Sequence, residues 1–448
     1  MKKKSIVFLS LMFILPLFVL GFTGEIVQSF DIPASFPTGL TFDGKYLWLA
    51  DRKTDKIYAI DKENGEVVKG IDAPAYWPMG LTWDGKALWN ADVEGGIPLA
   101  ENYKGVIYQI DPKSGCVIII FQAPGPYTRG LCYDGEFLWA VDYQNDKLYK
   151  ITTHDNEKYQ RSNERKAKIT YTHQTTNFGP GKVITLDVHL AIPADRDNQT
   201  ITNKIRYTPD YTGIVTDKWG QRTAHFHADD LETGSIYEVQ MVTTFTAYDV
   251  RYFIYPEQVG SLDNIPNEIK EKYLENNAKY QINHPVIQNA LKEALGQEKN
   301  PYWIARKLYN YLIGKIYYEM VGGWNTAPVV LERGNGSCSE YSFVYISMCR
   351  AAGIPVRYVG SISLRGDDSS MDDEFHRWVE IYLPDYGWFP VDPSGGDKIS
   401  PRDQANSFGF LKNQYLITTQ SGGGSETMAW TYNSKTFLDD RAQNEHCY

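Results

Sequence analysis

The sequence predicts a multidomain chain in which two all-β modules precede an α+β domain. Three observations carry this prediction. A unit of four short strand-like runs recurs three times between residues 25 and 152. An apolar–polar alternation then runs from Ala167 to about Tyr255. After Pro256 apolar residues recur at helical spacing before strands return. With 448 residues, at about 150 per domain, the chain has room for three domains.

Residues 1–21 stand apart from this scheme. Lys2, Lys3 and Lys4 precede an apolar run from Ile6 to Leu20, with Gly21, Thr23 and Gly24 beyond it. A basic stub, a short hydrophobic stretch and small residues make a secretory signal, expected to be cleaved near Gly21. The remaining chain has no second apolar stretch of spanning length, so the expected location is secreted or periplasmic, with no stable membrane span after cleavage. Acidic residues outnumber basic ones, 55 against 45. That balance argues against nucleic acid as a partner, because phosphate binding needs a concentrated basic face.

The repeats are legible residue by residue. Phe36–Asp61 reads FPTGLTFDGKYLWLADRKTDKIYAID; Trp77–Asp92 reads WPMGLTWDGKALWNAD and resumes at Val106–Asp111; Tyr127–Ile151 reads YTRGLCYDGEFLWAVDYQNDKLYKI. Gly39 and Gly80 are 41 residues apart and Gly80 and Gly130 are 50 apart, the excess lying between Asp92 and Val106. In the first unit the strand-like runs are GLTF, YLWLA, KIYAI and EVVKGI, separated by Asp-Gly and similar turns. A period of this size with four strands is the signature of a β-propeller blade. The units resemble blades of NHL/YVTN-like and glutamine-cyclotransferase-like propellers.

The third unit lacks its final strand, and a matching run, Glu25–Ile32, instead precedes the first unit. Pro33, Pro74 and Pro124 each lie six residues before the glycine of the next unit, which fixes that alignment. Such a displaced strand lets the two ends of a propeller share one blade. Propellers close with about four to eight blades, and three are visible here. Further degenerate blades, a homodimer in which two chains contribute three blades each, and an open arc all remain open at this stage. Cys116 opens an outer strand and Cys132 sits in the inner strand of the next blade. About three strand spacings of ~4.8 Å separate such positions, so no disulfide is expected between them.

The charged stretch His154–Lys166 reads as a linker. The alternating runs that follow (VITLDVHLAIP and YEVQMVTTFTAYDVRYFIY among them) predict a small antiparallel β-sandwich over 166–257. His225 and His227, with Asp229 and Asp230, could suggest metal ligands. Without a third ligand at useful spacing, they read as a solvated strand face.

Beyond Pro256, Ile265–Asn276, His284–Leu295 and Asn300–Ile313 predict helices. In the last, Trp303, Ile304, Leu308, Tyr311 and Leu312 are the expected buried face, and Pro301 fits the first turn. Leu331–Gly360 reads LERGNGSCSEYSFVYISMCRAAGIPVRYVG. Ser339–Ala352 predicts a helix stopped by Gly353 and Pro355, so Cys338 stands at a helix N-terminus. There the unpaired N–H groups and the helix dipole favour thiolate over thiol. Cys349, amid Val344, Ile346 and Met348 on the same helix, reads as core. Cys447 falls near the C-terminal tail.

Phe375–Ser394 reads FHRWVEIYLPDYGWFPVDPS. Strand alternation puts His376 and Trp378 on one face and Arg377 and Val379 on the other. A hairpin through Pro384–Gly387 would bring Asp392 toward His376, so that a carboxylate fixes the imidazole tautomer. A turn centred between Asp385 and Tyr386 would need a bulge, expected at Pro390. Trp378 and Trp388 read as packing aromatics.

These two runs, in this order and at this spacing, resemble the transglutaminase-like superfamily over about 260–420. Ile192-Pro193-Ala194 and the FIYPEQ ending similarly resemble the β-domain that often precedes bacterial transglutaminase-like domains. The resemblance implies an α+β papain-like transglutaminase fold over 258–448, with Cys338 as nucleophile, His376 as base and acid and Asp392 as orienter. By the same analogy the Cys338 backbone N–H is one oxyanion donor, with Trp324 or Tyr318 supplying the second or touching substrate. The implied reaction is acyl transfer at an amide of a protein or peptide. Hydrolysis is the first expectation, glutamine cross-linking the alternative, and a non-catalytic surface-binding scaffold the reading from a different class. No cofactor or metal is expected. No phosphate-cradling loop or zincin motif is present, and no acidic loop resembles the calcium sites of animal transglutaminases.

Overall fold

The computed structural model describes residues 22–93, 105–154, 157–320, 324–365, 371 and 373–439. Residues 1–21, read as a secretory signal, most of the insertion after Asp92 and the position of Cys447 lie outside these residues. The chain is mostly antiparallel β-sheet with few helices, and among the described residues no helix is long and apolar enough to cross a membrane.

The repeated units fold as three neighbouring sheets. The first holds β1 (Pro37–Phe42), β2 (Tyr46–Asp51), β3 (Lys56–Asp61) and β4 (Val67–Asp72). The second holds β5 (Pro78–Trp83), β6 (Leu88–Asp92), β7 (Val106–Ile110) and β8 (Val117–Gln122). The third has only β9 (Thr128–Tyr133), β10 (Leu138–Asp142) and β11 (Lys147–Ile151). The Asp-Gly turns explain why the units fold alike. In each, the turn aspartate accepts the indole N–H of the tryptophan five residues on: Asp43 from Trp48 (2.8 Å), Asp84 from Trp89 (2.7 Å) and Asp134 from Trp139 (2.7 Å). The same carboxylates accept backbone N–H groups across the turn, which closes the hairpin at fixed register.

The sandwich begins earlier than its composition suggests. β12 runs from Tyr159 to Thr176 and pairs with β18 (Ile236–Tyr252) along most of its length, so much of the stretch read as a linker is strand. It is an edge strand whose charged side chains face solvent; such a segment needs no apolar alternation and is compositionally like a loop. β14 (Gln199–Ile201) and β15 (Arg206–Thr208) also pair with β18. The facing sheet has the order β16 (Gly213–Thr216), β17 (Arg222–Leu231), β13 (Val183–Ala191), and then β26 (Ser434–Asp439) from the end of the described chain. Leu186, Val188, Leu190, Ala224, Phe226, Val239 and Met241 form the core between the sheets.

The third unit packs α1 (Asn267–Tyr273), α2 (Pro285–Leu295), α3 (Pro301–Lys315), α4 (Ala327–Arg333) and α5 (Cys338–Ala351) against the sheet β23–β22–β21–β25. The sheet strands are β21 (Val356–Ser363), β22 (Phe375–Leu383), β23 (Gly387–Val391) and β25 (Tyr415–Ser421). The short strands β19 (Tyr317–Tyr318) and β20 (Asn335–Gly336) pair in parallel beside the start of α5. α6 (Pro401–Asn406) and β24 (Phe410–Leu411) follow β23. Asn300 caps α3 by accepting the N–H groups of Tyr302 (3.0 Å) and Trp303 (3.2 Å). The buried face of α3 includes Tyr302, Ile304, Leu308, Tyr309 and Leu312, whereas Trp303 and Tyr311 are only partly buried. The helix is thus rotated from the expected face, because Tyr302 and Tyr309 pack edge-on against Phe408.

The span 258–448 does not close on itself. β24 pairs with β18 and β26 with β13, so two of its strands complete the sheets of the sandwich. The repeat sheets dock on its other side: Ser400 and the Arg402 N–H both donate to the Pro74 carbonyl, and Asn310 bonds Cys116. Leu186→Ala in the sandwich and Leu308→Ala beneath α5 each remove a fully buried side chain and should cost about 2–5 kcal/mol. Because the sheets are shared, both substitutions should shift one common transition, checked by urea denaturation followed by circular dichroism and by tryptophan fluorescence.

Candidate active site

Cys338 is the first residue of α5, a helix buried from Cys338 through Arg350. Glu340, one turn in, accepts the Ser337 N–H (3.2 Å) and the Asn325 N–H (2.9 Å) and pairs with Arg333 (2.9 Å). This fully buried carboxylate therefore ties the helix start to the loop before α4 and to the end of α4. Cys338 itself is 8 % exposed.

His376 lies on β22 and Asp392 immediately after β23. Leu383 pairs with Gly387, Tyr382 with Trp388 and Val379 with Val391, so the turn is centred on Asp385. That register corrects the expected bulge: Pro390 pairs regularly with Glu380. Asp385 and Gly387 take positive φ (70° and 84°), which lets a three-residue loop close the hairpin. Continued by one residue, the ladder sets Asp392 opposite Trp378, on the face Trp378 shares with His376 and one diagonal step away, within side-chain reach. Pro390 is tolerated because β23 is an edge strand. The 407–409 segment flanks that edge, with the Asp392 N–H donating to Ser407 O (2.8 Å).

The structure brings Cys338, His376 and Asp392 together. His376 Nε2 is 2.7 Å from Asp392 Oδ2, and the ring hydrogen-bonds the Cys338 sulfur. With Nε2 engaged by the carboxylate, Nδ1 is the nitrogen left for the sulfur. Asp392 Oδ1 accepts from Ser394 Oγ and the Gly395 N–H, each at 2.9 Å. His376 stacks on Tyr415 (centroids 5.6 Å apart, 27°) and sits 5.7 Å from the Trp378 ring.

The electrostatics follow from this geometry. Burial pushes the Cys338 thiol up, yet the hydrogen bond and charge of His376, with the Arg377 backbone N–H and guanidinium, bring it below its ordinary value. Burial likewise opposes charge on His376, but Asp392 and Cys338 together raise the ring well above the usual histidine value. Against its own burial, Asp392 is held below the usual carboxylate value by His376, Gly395 and Ser394. All three shifts favour thiolate, imidazolium and carboxylate. Cys349, fully buried on the same helix, has its thiol pushed far up by burial.

Arg377 occupies the opposite face of β22 and is fully buried. Nη2 donates to Trp430 O (2.8 Å), and the guanidinium is boxed by the rings of Tyr432 (4.3 Å), Tyr358 (4.6 Å), Trp324 (4.9 Å) and Phe343 (5.4 Å). Gly360 makes room for this box: a Cβ there would stand 2.3 Å from Tyr432. Sequence reasoning put Arg377 on the far face without giving it a role. The available signal was an arginine among Val379, Ile381 and Leu383. Tyr415 and Tyr432 follow the recognisable motifs, and nothing in their local sequence marks them.

Trp324 is part of that box and stacks on Tyr432. Tyr318 is half-exposed, and its backbone N–H is spent on Asp397 (2.9 Å), leaving its phenol as the group that could serve a ligand. Burial and then the facing Cys338 charge raise that phenol's pKa. Trp388 packs against Arg357 (4.1 Å) and Tyr273. His225 and His227 both bond Asp187, at 2.7 and 2.9 Å; among the described residues no cluster of three or more His, Cys, Asp or Glu could hold a metal ion.

Residues 289–393 match the Transglutaminase-like superfamily, so the chain carries a transglutaminase-like domain. A stretch of 77 residues is 30 % identical to the uncharacterized protein YebA of Bacillus subtilis, covering 15 % of this chain and only 10 % of that protein. A candidate cysteine protease from Cytophaga hutchinsonii aligns at 16 % identity over 63 % of this chain and 88 % of its own, with a TM-score of 0.46. Red sea bream transglutaminase aligns at 13 % identity over 51 % of this chain and 48 % of its own, with a TM-score of 0.21.

If the thiol is held low by His376, iodoacetamide should label Cys338 rapidly at pH 5–6, well below the ordinary thiol pKa of about 8.5. His376→Ala should move labelling toward that value, and Asp392→Asn should move it part of the way. Peptide mapping checks this, with Cys349 unlabelled throughout.

Proposed function

We propose that this chain is an exported cysteine peptidase or amidase that cleaves amide bonds of protein or peptide substrates. The observation that carries the reading is the series of sulfur, imidazole and carboxylate at the start of a buried helix. In this scheme the Cys338 thiolate attacks the carbonyl carbon, and the oxygen takes up the negative charge. The backbone N–H of Cys338, at the first position of α5, has no intrahelical carbonyl to bond and is aimed to receive that charge. The Tyr318 hydroxyl or the Trp324 indole supplies the second donor. His376 gives its proton to the leaving amine, whose departure leaves a thioester on Cys338 and a neutral imidazole. Water attacks the thioester, His376 takes its proton, and the acid leaves as Cys338 returns to thiolate. Asp392 holds the ring in one tautomer and stabilises the imidazolium at each transfer. Water is the abundant acceptor outside the cell, which places hydrolysis ahead of cross-linking. Export rests on the basic and apolar pattern of residues 1–21.

The reading is tested on a peptide-amide library with the purified protein. Cys338→Ala should abolish turnover, and His376→Ala should lower kcat by about 10²–10⁴-fold. Added hydroxylamine should divert acyl product to hydroxamate. Turnover that persists in Cys338→Ala, or product that forms only when an amine donor is added, would overturn hydrolysis through this thiol.

A further inference from the structure

The three repeat sheets meet through one recurring junction. The inner strand of each sheet turns its leucine toward the preceding sheet, and the middle strands turn small and branched residues toward the following one. Between the first and second sheets, Leu81 meets Ala50, Ile57 and Ile71; between the second and third, Leu131 and Leu138 meet Ala91, Ile107 and Ile119. The backbones approach closely at a glycine. A Cβ at Gly39 would stand 2.4 Å from Met79 O, and one at Gly80 would stand 2.8 Å from Arg129 O. Gly130, at the same place in the third sheet, meets only Val141 of its own sheet.

The two outer faces of this row therefore repeat the two halves of the junction, uncovered. On the first sheet Leu40 is 62 % exposed, where its counterpart Leu81 is 4 %. On the third sheet Leu148 is 65 % exposed, where its counterparts Ile57 and Ile107 are 0 %. Phe42 and Val141 are exposed beside them. Apolar residues buried or partly buried at the internal junctions and exposed at both ends mark an interface that continues beyond one chain.

A second, independent observation concerns strand count. The third sheet stops at β11, an edge strand, where the others carry β4 and β8. The missing sequence is present in the chain: EIVQSFDIP at Glu25–Pro33 aligns with EVVKGIDAP at Glu66–Pro74 and CVIIIFQAP at Cys116–Pro124. Yet Glu25–Asp31 pairs in no strand, and Ile26 and Val27 are 80 % and 94 % exposed. It leads directly into β1, in the sheet at the opposite end of the row from β11.

We propose that two copies of this chain close into one six-bladed propeller. The first blade of each copy packs on the third blade of the other, and residues 25–31 of each copy form the fourth strand of the other's third blade. The two junctions are equivalent and related by a two-fold axis along the ring, so assembly stops at two copies. Strand addition satisfies the open edge of β11. The β3–β4 ladder supplies the register. Lys56 pairs with Asp72 and Ile57 with Ile71, so Lys147 should meet Asp31 and Leu148 should meet Phe30 of the second copy. The charge pair repeats as well, since Lys56 and Asp72 form an ion pair at 2.6 Å.

Light scattering on the purified protein should give twice the chain mass. Leu148→Asp, a change at an exposed position within one chain, should yield a folded monomer that labels at Cys338 like the parent. Asp31→Lys should weaken the dimer, and adding Lys147→Asp should restore it. In a Cys132→Ser, Cys447→Ser background, Asp31→Cys with Lys147→Cys should form an intermolecular disulfide on oxidation, whereas Asp31→Cys with Lys56→Cys should not. A strictly monomeric parent, an assembly of any other size, a dimer indifferent to Leu148→Asp, or a disulfide formed within one chain would each overturn the proposal.

Discussion

Helix α5 is buried along its whole length from Cys338 to Arg350, and the position of the thiol follows from that burial. A helix enclosed on all sides cannot rotate or slide without breaking the core, so its first residue is fixed against β22. The Arg377 backbone N–H faces the Cys338 sulfur, and the ring of the preceding residue, His376, bonds the same sulfur. The fully buried Glu340 adds polar bonds at the same helix end. A neutral replacement there would leave Arg333 and two backbone N–H groups poorly matched, which is the expensive outcome for buried polar groups.

The boxed guanidinium of Arg377 extends this constraint outward. It holds a positive charge behind Cys338, and its surrounding rings come from a loop (Trp324), the helix (Phe343), a central strand (Tyr358) and the turn before β26 (Tyr432). β26 itself belongs to the sandwich, where it pairs with β13. The sandwich therefore contributes to the geometry behind the site, and the transglutaminase-like domain is not a freely separable module in this chain. The Thr418–Asn433 bond and the Arg350 bonds to Val356 and Gly422 carbonyls knit the same region.

The repeat sheets touch the site more remotely, through α6 and α3. Tyr309 donates to the Gln404 carbonyl (2.7 Å), and Asn310, one residue on, contacts Cys116. The segment leading into α6 bonds the Pro74 carbonyl, between the first two repeat sheets, so the loop that carries Ser394 and Gly395 is braced on one flank there.

The sequence by itself determined those features that depend on local chemistry. The Asp-Gly turns with a tryptophan five residues on specify their own hairpins, and Gly336-Ser337-Cys338 ahead of an apolar helix specifies a thiol at a helix start. Strand alternation set the face of His376 and a hairpin pointed Asp392 toward it, although the bulge expected at Pro390 was unnecessary because the turn is centred one half-residue earlier. Only the tertiary structure decided the rest. The first part of β12, Tyr159–Lys166, was hidden because an edge strand with solvent on one side carries no apolar signal, and the rotation of α3 was set by Phe408, about a hundred residues away. Tyr415, Tyr432 and the box around Arg377 come from segments distant along the chain, and the pairing of β26 with β13 joins residues some 250 apart. Local sequence fixes backbone conformation through turns, caps and periodicity, whereas contacts of this range are chosen by the packing of the whole core.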